Sequence, residues 1–208
     1  MNTQEAYDIW SEIYDTNINK TRDLEATAIR EVLTGIVFKR CLEVGSGTGK
    51  NTEWLITKAE EVTCIDLSEA MLHKAKAKIK SDRLTFHQAD ITKAWSFAEG
   101  AFDLITFSLM LEHIEDINDV FRKAAAHTVA GGYVYVGELH PFKQYSGSKA
   151  RFDTESGQQI VPCFNHHISD FVNAATENGF SIVKLNEYFD DNDSSAIPRI
   201  LTLLLRKK

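Results

Sequence analysis

The 208-residue sequence predicts an α/β fold: a single domain built on a doubly wound, mostly parallel sheet with helices on both faces. Three observations predict it. Short apolar runs of strand length alternate with amphipathic runs of helix length along most of the chain. A glycine-rich turn, Gly45-Ser46-Gly47-Thr48-Gly49, follows the first apolar run. Two later runs end on acidic residues, Asp66 and Asp90, and parallel strands bring such ends to one crevice.

Taken in order, residues 4 to 16 carry Tyr7, Trp10, Ile13 and Tyr14 at helical spacing. That aromatic face either caps the core or, through Tyr7 and Tyr14, covers a ligand site. Leu24 to Leu33 reads as a second helix stopped by Gly35, so residues 1–35 form N-terminal helices that partly lid the site. Cys41, Leu42 and Val44 form the first strand, and Asn51 to Lys58 opens a helix just after the glycines. Val62 to Ile65 is the second strand, and Ser68 caps a helix running to about Ile79. Leu84 to His87 and Ala101 to Phe107 are the third and fourth strands, the latter apolar enough to be covered on both faces. Its exit, Ser108 to Ile114, should wall the site. Glu115 to Thr128 is helical, and Gly131-Gly132 turns the chain into a fifth strand, Tyr133 to Gly137. Residues 139–166 show no sustained period and read as an irregular insertion that lids the acceptor side of the site. Ser169 to Asn178 is a helix ended by Gly179. Phe180 to Phe189 and Ile197 to Leu205 then close the sheet as an antiparallel hairpin, the sixth and seventh strands.

Composition narrows the function. With 23 Lys+Arg against 30 Asp+Glu, the net charge of -7 argues against nucleic acid and anionic membrane as partners. The first residues, MNTQEAYDIW, lack the pattern of a leader, and no run is long enough to span a membrane, so the expected location is cytoplasmic. Cys41, Cys64 and Cys163 have no CxxC spacing and are expected to be reduced and structural. His140, His166 and His167 lack metal-ligand spacing, and no metal site is expected.

The glycine turn fails two phosphate-binding patterns. A dinucleotide turn would need glycine where Lys50 stands, and a P-loop would need glycine at Val44 and a hydroxyl at Asn51. What remains is E-x-G-x-G-x-G, with Glu43, Gly45, Gly47 and Gly49 in step. With LEVGSGTG (42–49), CIDLSEAML (64–72), QADI (88–91), FDLITFSLMLEHI (102–114) and GGYVYVGELHP (131–141) in this order, the sequence resembles the class I S-adenosylmethionine-dependent methyltransferases, in particular the type 11 methyltransferase domain. The resemblance covers most of the chain and implies a Rossmann-like seven-stranded sheet with S-adenosylmethionine as cofactor. It implies that Glu43 helps hold the methionyl ammonium and that Tyr14 meets the methionyl carboxylate. Asp66 would accept the ribose hydroxyls, Leu67 and Met71 would line the adenine, Asp90 would accept its amino group, and Ile91 would donate a backbone amide. Ser108, Leu109 and His113 would border the sulfonium.

Methyl transfer from a sulfonium needs mainly proximity and orientation, with a base only where the acceptor must lose a proton. His140 and His113 are the base candidates, each against a structural alternative. In the insertion, Lys149 and Arg151 alternate with Tyr145 and other aromatics, suiting a small acceptor with an aromatic or apolar body and an acidic group; a plain solvated loop is the competing reading. Tyr7 and Trp10 join His140, Tyr145, Lys149 and Arg151 as acceptor-side candidates. The expected activity is methylation of a small molecule at oxygen, nitrogen or carbon by a monomer or homodimer. The alternative is a non-catalytic S-adenosylmethionine-binding module acting through a protein partner.

Overall fold

The computed structural model describes residues 1–154 and 157–208. The chain runs through α1 (Thr3–Trp10), α2 (Lys20–Val32), β1 (Arg40–Val44), α3 (Thr52–Leu55), β2 (Glu61–Asp66), α4 (Glu69–Lys78), β3 (Leu84–Gln88) and β4 (Phe102–Ser108). It continues through α5 (Ile117–His127), β5 (Thr128–Leu139), α6 (Pro141–Tyr145), β6 (Arg151–Thr154), β7 (Gly157–Ile160), α7 (Ile168–Glu177), β8 (Phe180–Tyr188) and β9 (Ile200–Lys207).

Seven strands make one sheet in the order β3-β2-β1-β4-β5-β9-β8, and β9 alone runs against its neighbours. The order reverses between β1 and β4, where an open α/β sheet leaves a crevice at the carboxyl ends of the strands. Both faces are covered, so alternate residues of β1 enter different cores. Leu42 and Val44 pack with Phe107 and Phe121 beneath α5 and α7, whereas Cys41 packs with Ile29, Leu104 and Tyr135 beneath α2. Glu43 therefore points into the α2 side, where its carboxylate accepts from Thr52 Oγ1.

Several boundaries differ from the sequence expectation for identifiable reasons. α1 ends at Trp10 and turns carry the chain to about Thr16, so Tyr14 lies outside the helix. α2 begins at Lys20 because Asn19 Oδ1 accepts from the Arg22 amide at 3.0 Å. α3 is a single turn, since the Asn51 side chain, in place of a cap, donates to Glu25 Oε2 at 2.9 Å. In β5, Thr128 already pairs with Phe102, and a bulge through Gly131 (φ 73°) precedes the regular pairing from Tyr133.

The segment 139–166 is the larger correction. It holds α6, with Pro141 in the first turn, and the two-stranded β6-β7 sheet. Phe152 of β6 stacks on Trp10 of α1 with ring centroids 5.1 Å apart. The insertion therefore packs on the N-terminal helix, and Trp10 and Phe152 join Ala6, Met71 and Val161 in a third apolar cluster.

Candidate active site

The glycine turn sits where β1 leaves the sheet, between β2 and the exit of β4. Gly45, Gly47 and Gly49 have φ of 75°, 53° and 84°, a region costly for other residues. Their surroundings separate their roles. A Cβ at Gly49 would lie 2.6 Å from Ile79 Cδ1 and 3.3 Å from Ala75 Cβ, so this glycine lets α4 close on the turn. At Gly47 a Cβ would meet nothing within 4 Å, which leaves the backbone open to a ligand.

Asp66 fixes that open turn. Its Oδ2 accepts from the Gly47 amide at 2.7 Å and its Oδ1 from the Ser68 amide at 2.9 Å. Burial pushes its carboxyl up to about 6 against the lowering effect of these amides. Asp90, one strand further out, holds its own turn through Oδ1, which accepts from the Thr92 amide at 2.9 Å and the Thr92 hydroxyl at 2.7 Å.

Both carboxylates face a cavity of about 400 Å³. The glycine turn, Leu67, Met71, Ile91 and Met110 line it on the sheet side. Asn2, Thr3, Gln4, Tyr7, Tyr14 and His113 line the opposite side, so α1 forms its roof. α1 is tied down across α4, since Ser68 Oγ donates to Asp8 Oδ1 at 2.6 Å. A smaller compartment continues past Gly45 and Gly47 and is lined by Tyr14, Arg22, Glu25, Glu43, Ser46, Ser108 and Leu109. Burial pushes the Glu43 carboxyl up to about 8 and also raises that of Glu25. Arg22 lies against the Tyr14 ring and donates to the Tyr14 carbonyl, placing a guanidinium opposite the two acids. Leu109 has φ 54°, a strained value for a leucine, and its amide donates to Gly137 O at 2.8 Å.

Every residue expected to meet the cofactor, except Gly49, lines one of these two compartments. The acceptor-side expectations fare differently. Tyr7 and His113 face the cavity and meet, the Tyr7 hydroxyl 2.9 Å from His113 Nε2. His140 does not face it: the residue is fully buried, Nδ1 accepts from the Phe142 amide at 3.1 Å, and Nε2 lies 2.9 Å from Glu187 Oε1. Burial also lowers its basicity, so His140 is a helix cap and its expected role as a base is withdrawn. Tyr145 is exposed and bonds to His167 Nδ1 at 2.6 Å, and Lys149 and Arg151 are exposed. None of the three lines the cavity, because the insertion folds onto Trp10. Trp10, the last residue of α1, is itself buried against Phe152. Among the described residues the cavity lining contains no Lys or Arg, which removes the basis for an acidic group on the acceptor.

Arg22 and Glu25 were missed from the sequence because only the packing of α2 beside the glycine turn brings them to the small compartment. The one available signal was the amphipathic pattern of α2, which placed Glu25 on an otherwise apolar face.

The comparisons agree with this geometry. The family described as a methyltransferase domain matches residues 42–136. The chain is 26% identical over 88% of its length to an uncharacterized methyltransferase of Emericella nidulans, of which 77% is covered. It is 29% identical over 76% of its length to the ubiquinone biosynthesis O-methyltransferase of Vibrio parahaemolyticus, of which 68% is covered. Among solved structures, the N-methyltransferase NodS from Bradyrhizobium japonicum superposes over all of this chain and 99% of its own, with a TM-score of 0.75 and 18% identity. An S-adenosylmethionine-dependent methyltransferase from Mesorhizobium loti gives a TM-score of 0.70 at 22% identity, over 87% of this chain and 96% of its own. Residues 42–136, which carry the motifs around Gly45, Asp66 and Asp90, match the methyltransferase domain family, and the chain as a whole has the fold of the solved S-adenosylmethionine-dependent methyltransferases.

Proposed function

We propose that this chain transfers the methyl group of S-adenosylmethionine to a small, neutral or cationic acceptor held under α1. The observation that carries the reading is the pair of adjoining compartments, which share Tyr14, Gly45 and Gly47, with Asp66 and Asp90 lining the larger one. The first has the volume and apolar walls for an adenosine, and the second sets Glu25, Glu43 and Arg22 around the space for an amino acid. The fit is also seen in Ser46 Oγ, which is buried beside the small compartment without a partner among the described residues.

In this reading the carboxylate of Asp66 accepts the ribose hydroxyls with the lone pairs that Gly47 and Ser68 leave free. Leu67, Met71 and Ile91 flank the base, Asp90 accepts from its amino group, and the Ile91 amide donates to the ring. Glu43 and Glu25 face the ammonium and Arg22, with Tyr14 behind it, faces the carboxylate. Ser108 and Leu109 border the sulfur. The cofactor supplies a methyl group already activated on a sulfonium, so the chain's task is orientation and exclusion of water. Tyr7 and His113 stand on the acceptor side, beyond Met110.

The ubiquinone O-methyltransferase among the relatives and NodS among the structures modify oxygen and nitrogen by their names, so both acceptor atoms remain in scope for this chain. The test is incubation with methyl-labelled S-adenosylmethionine and a fractionated metabolite extract. Label is expected in a small-molecule fraction. Cofactor binding with no product over a broad panel, together with a stable protein partner, would replace catalysis by the binding-module reading.

A further inference from the structure

At the edge of the cavity, behind Tyr7, three side chains of different chemistry converge. One donor atom each from Glu112, His113 and Cys163 lies within 4.8 Å of the others. Glu112 and His113 come from the single helical turn after β4, and Cys163 comes from the end of the insertion. The His113 ring is oriented by Pro162 O, 2.7 Å from Nδ1. A carbonyl can only accept, so Nδ1 carries the proton and Nε2 the lone pair. A backbone carbonyl on the distal ring nitrogen is the arrangement that orients histidines bound to metals. Nε2 lies 3.9 Å from Glu112 Oε1.

Glu112 supplies a second, independent observation. The residue is 6% exposed, and its Oε2 has no hydrogen-bond partner among the described residues. A buried carboxylate oxygen left without a donor is costly, and no Lys or Arg is paired with it among the described ion pairs. The Cys163 thiol stands beside the same carboxyl, donates to Val161 O at 3.3 Å, and its sulfur lies 3.8 Å from His113 Nδ1.

We propose that Glu112, His113 and Cys163 form a binding site for a zinc-class divalent transition metal ion. The mixed oxygen, nitrogen and sulfur donor set selects zinc or cobalt over magnesium or calcium, which take oxygen ligands. Metal–ligand bonds of about 2.0 to 2.3 Å place tetrahedral neighbours roughly 3.3 to 3.8 Å apart; Cys163 Sγ lies 3.8 Å from Nδ1, so ligation through Nε2 requires the imidazole to turn towards the thiol as the donors close in. Binding converts the thiol to a thiolate and releases its proton to solvent. One carboxylate, one thiolate and a neutral imidazole then balance the two positive charges, and the orphaned Glu112 oxygen gains a partner. Three protein ligands leave a fourth position, available to water or to an acceptor oxygen. The Tyr7 hydroxyl occupies the Nε2 lone pair in the described conformation and must yield to the ion.

Metal uptake is independent of methyl transfer, and its test does not use activity. The chelator-stripped full chain is titrated with cobalt(II) as a spectroscopic probe. One cobalt per chain is expected, with a thiolate-to-cobalt charge-transfer band that zinc abolishes by displacement. Absence of that band in the wild-type chain would overturn the proposal without any variant. Cys163→Ser should lose the band, and Glu112→Gln should weaken binding about tenfold or more, with unchanged far-ultraviolet circular dichroism. A band that persists in Cys163→Ser would move the metal to Cys41 or Cys64 and overturn the assignment. Tyr7→Phe, which frees Nε2, should bind at least as tightly as wild type; a loss there equal to that of the ligand variants would show collapse of the site in place of ligation and also count against it.

Discussion

At the scale of single residues, the site depends on charges placed by backbone amides. Asp66 is held by the Gly47 and Ser68 amides, so its carboxylate is aimed before any ligand arrives. Asp66 and Asp90 were legible in the sequence because an acidic residue at a strand end needs only the order of strands to find its place. Arg22 and Glu25 were not, since their position depends on how a helix packs some twenty residues before the turn. Arg22 supplies the discriminating experiment. Arg22→Ala should weaken S-adenosylhomocysteine, which carries the amino-acid carboxylate, by about tenfold, consistent with a lost charged hydrogen bond. Methylthioadenosine, which lacks that group, should bind the variant and the wild type alike. Equal losses for both ligands in calorimetric titrations would take Arg22 out of the small compartment.

Elements show where local pattern stopped being informative. The strands and the helices of the central alternation were readable because each presents one apolar period over several residues. The insertion was not, because α6 is five residues long and β6 and β7 four each, too short for a period to register. Its aromatic residues suggested a lid over the acceptor, yet Phe152 stacks on Trp10 and leaves Tyr145 outside. Phe152→Ala should therefore loosen α1 and raise proteolytic cleavage in the first 19 residues, with cleavage of the central sheet unchanged. At the glycine turn, Gly49→Ala must combine a φ of 84° with a Cβ 2.6 Å from Ile79 Cδ1, while Gly35→Ala meets a similar φ but open space. Urea unfolding should show a loss of about 1 to 2 kcal/mol at Gly35 and a larger one, about 2 to 4 kcal/mol, at Gly49. Equal losses would mean that α4 does not rest on the turn.

Over the whole molecule, the site concentrates buried acids. Burial pushes Glu43 and Glu138 up to about 8 and Asp66 up to about 6. The native chain then holds more protons than the unfolded chain above the ordinary carboxylate range. Stability contributed by these groups is full below that range and falls as pH rises through the native values. Thermal unfolding of the cofactor-free chain should accordingly give a lower midpoint at about pH 9 than at about pH 6. Glu138 Oε1 accepts from the Met110 and Leu111 amides at 3.0 and 2.9 Å, and a glutamine carbonyl can do the same. Glu138→Gln should keep that cap and flatten the pH dependence; an unchanged slope would remove Glu138 from the explanation. Asp66 and Asp90 line the larger cavity, which holds no Lys or Arg among the described residues to meet a nucleotide phosphate. The most direct measurement is calorimetric titration of S-adenosylhomocysteine into wild type and Asp66→Ala. One site per chain is expected, weakened at least about tenfold in the variant, with ATP and NAD failing to compete. Undiminished affinity in Asp66→Ala, or displacement by either phosphate-bearing nucleotide, would contradict the account.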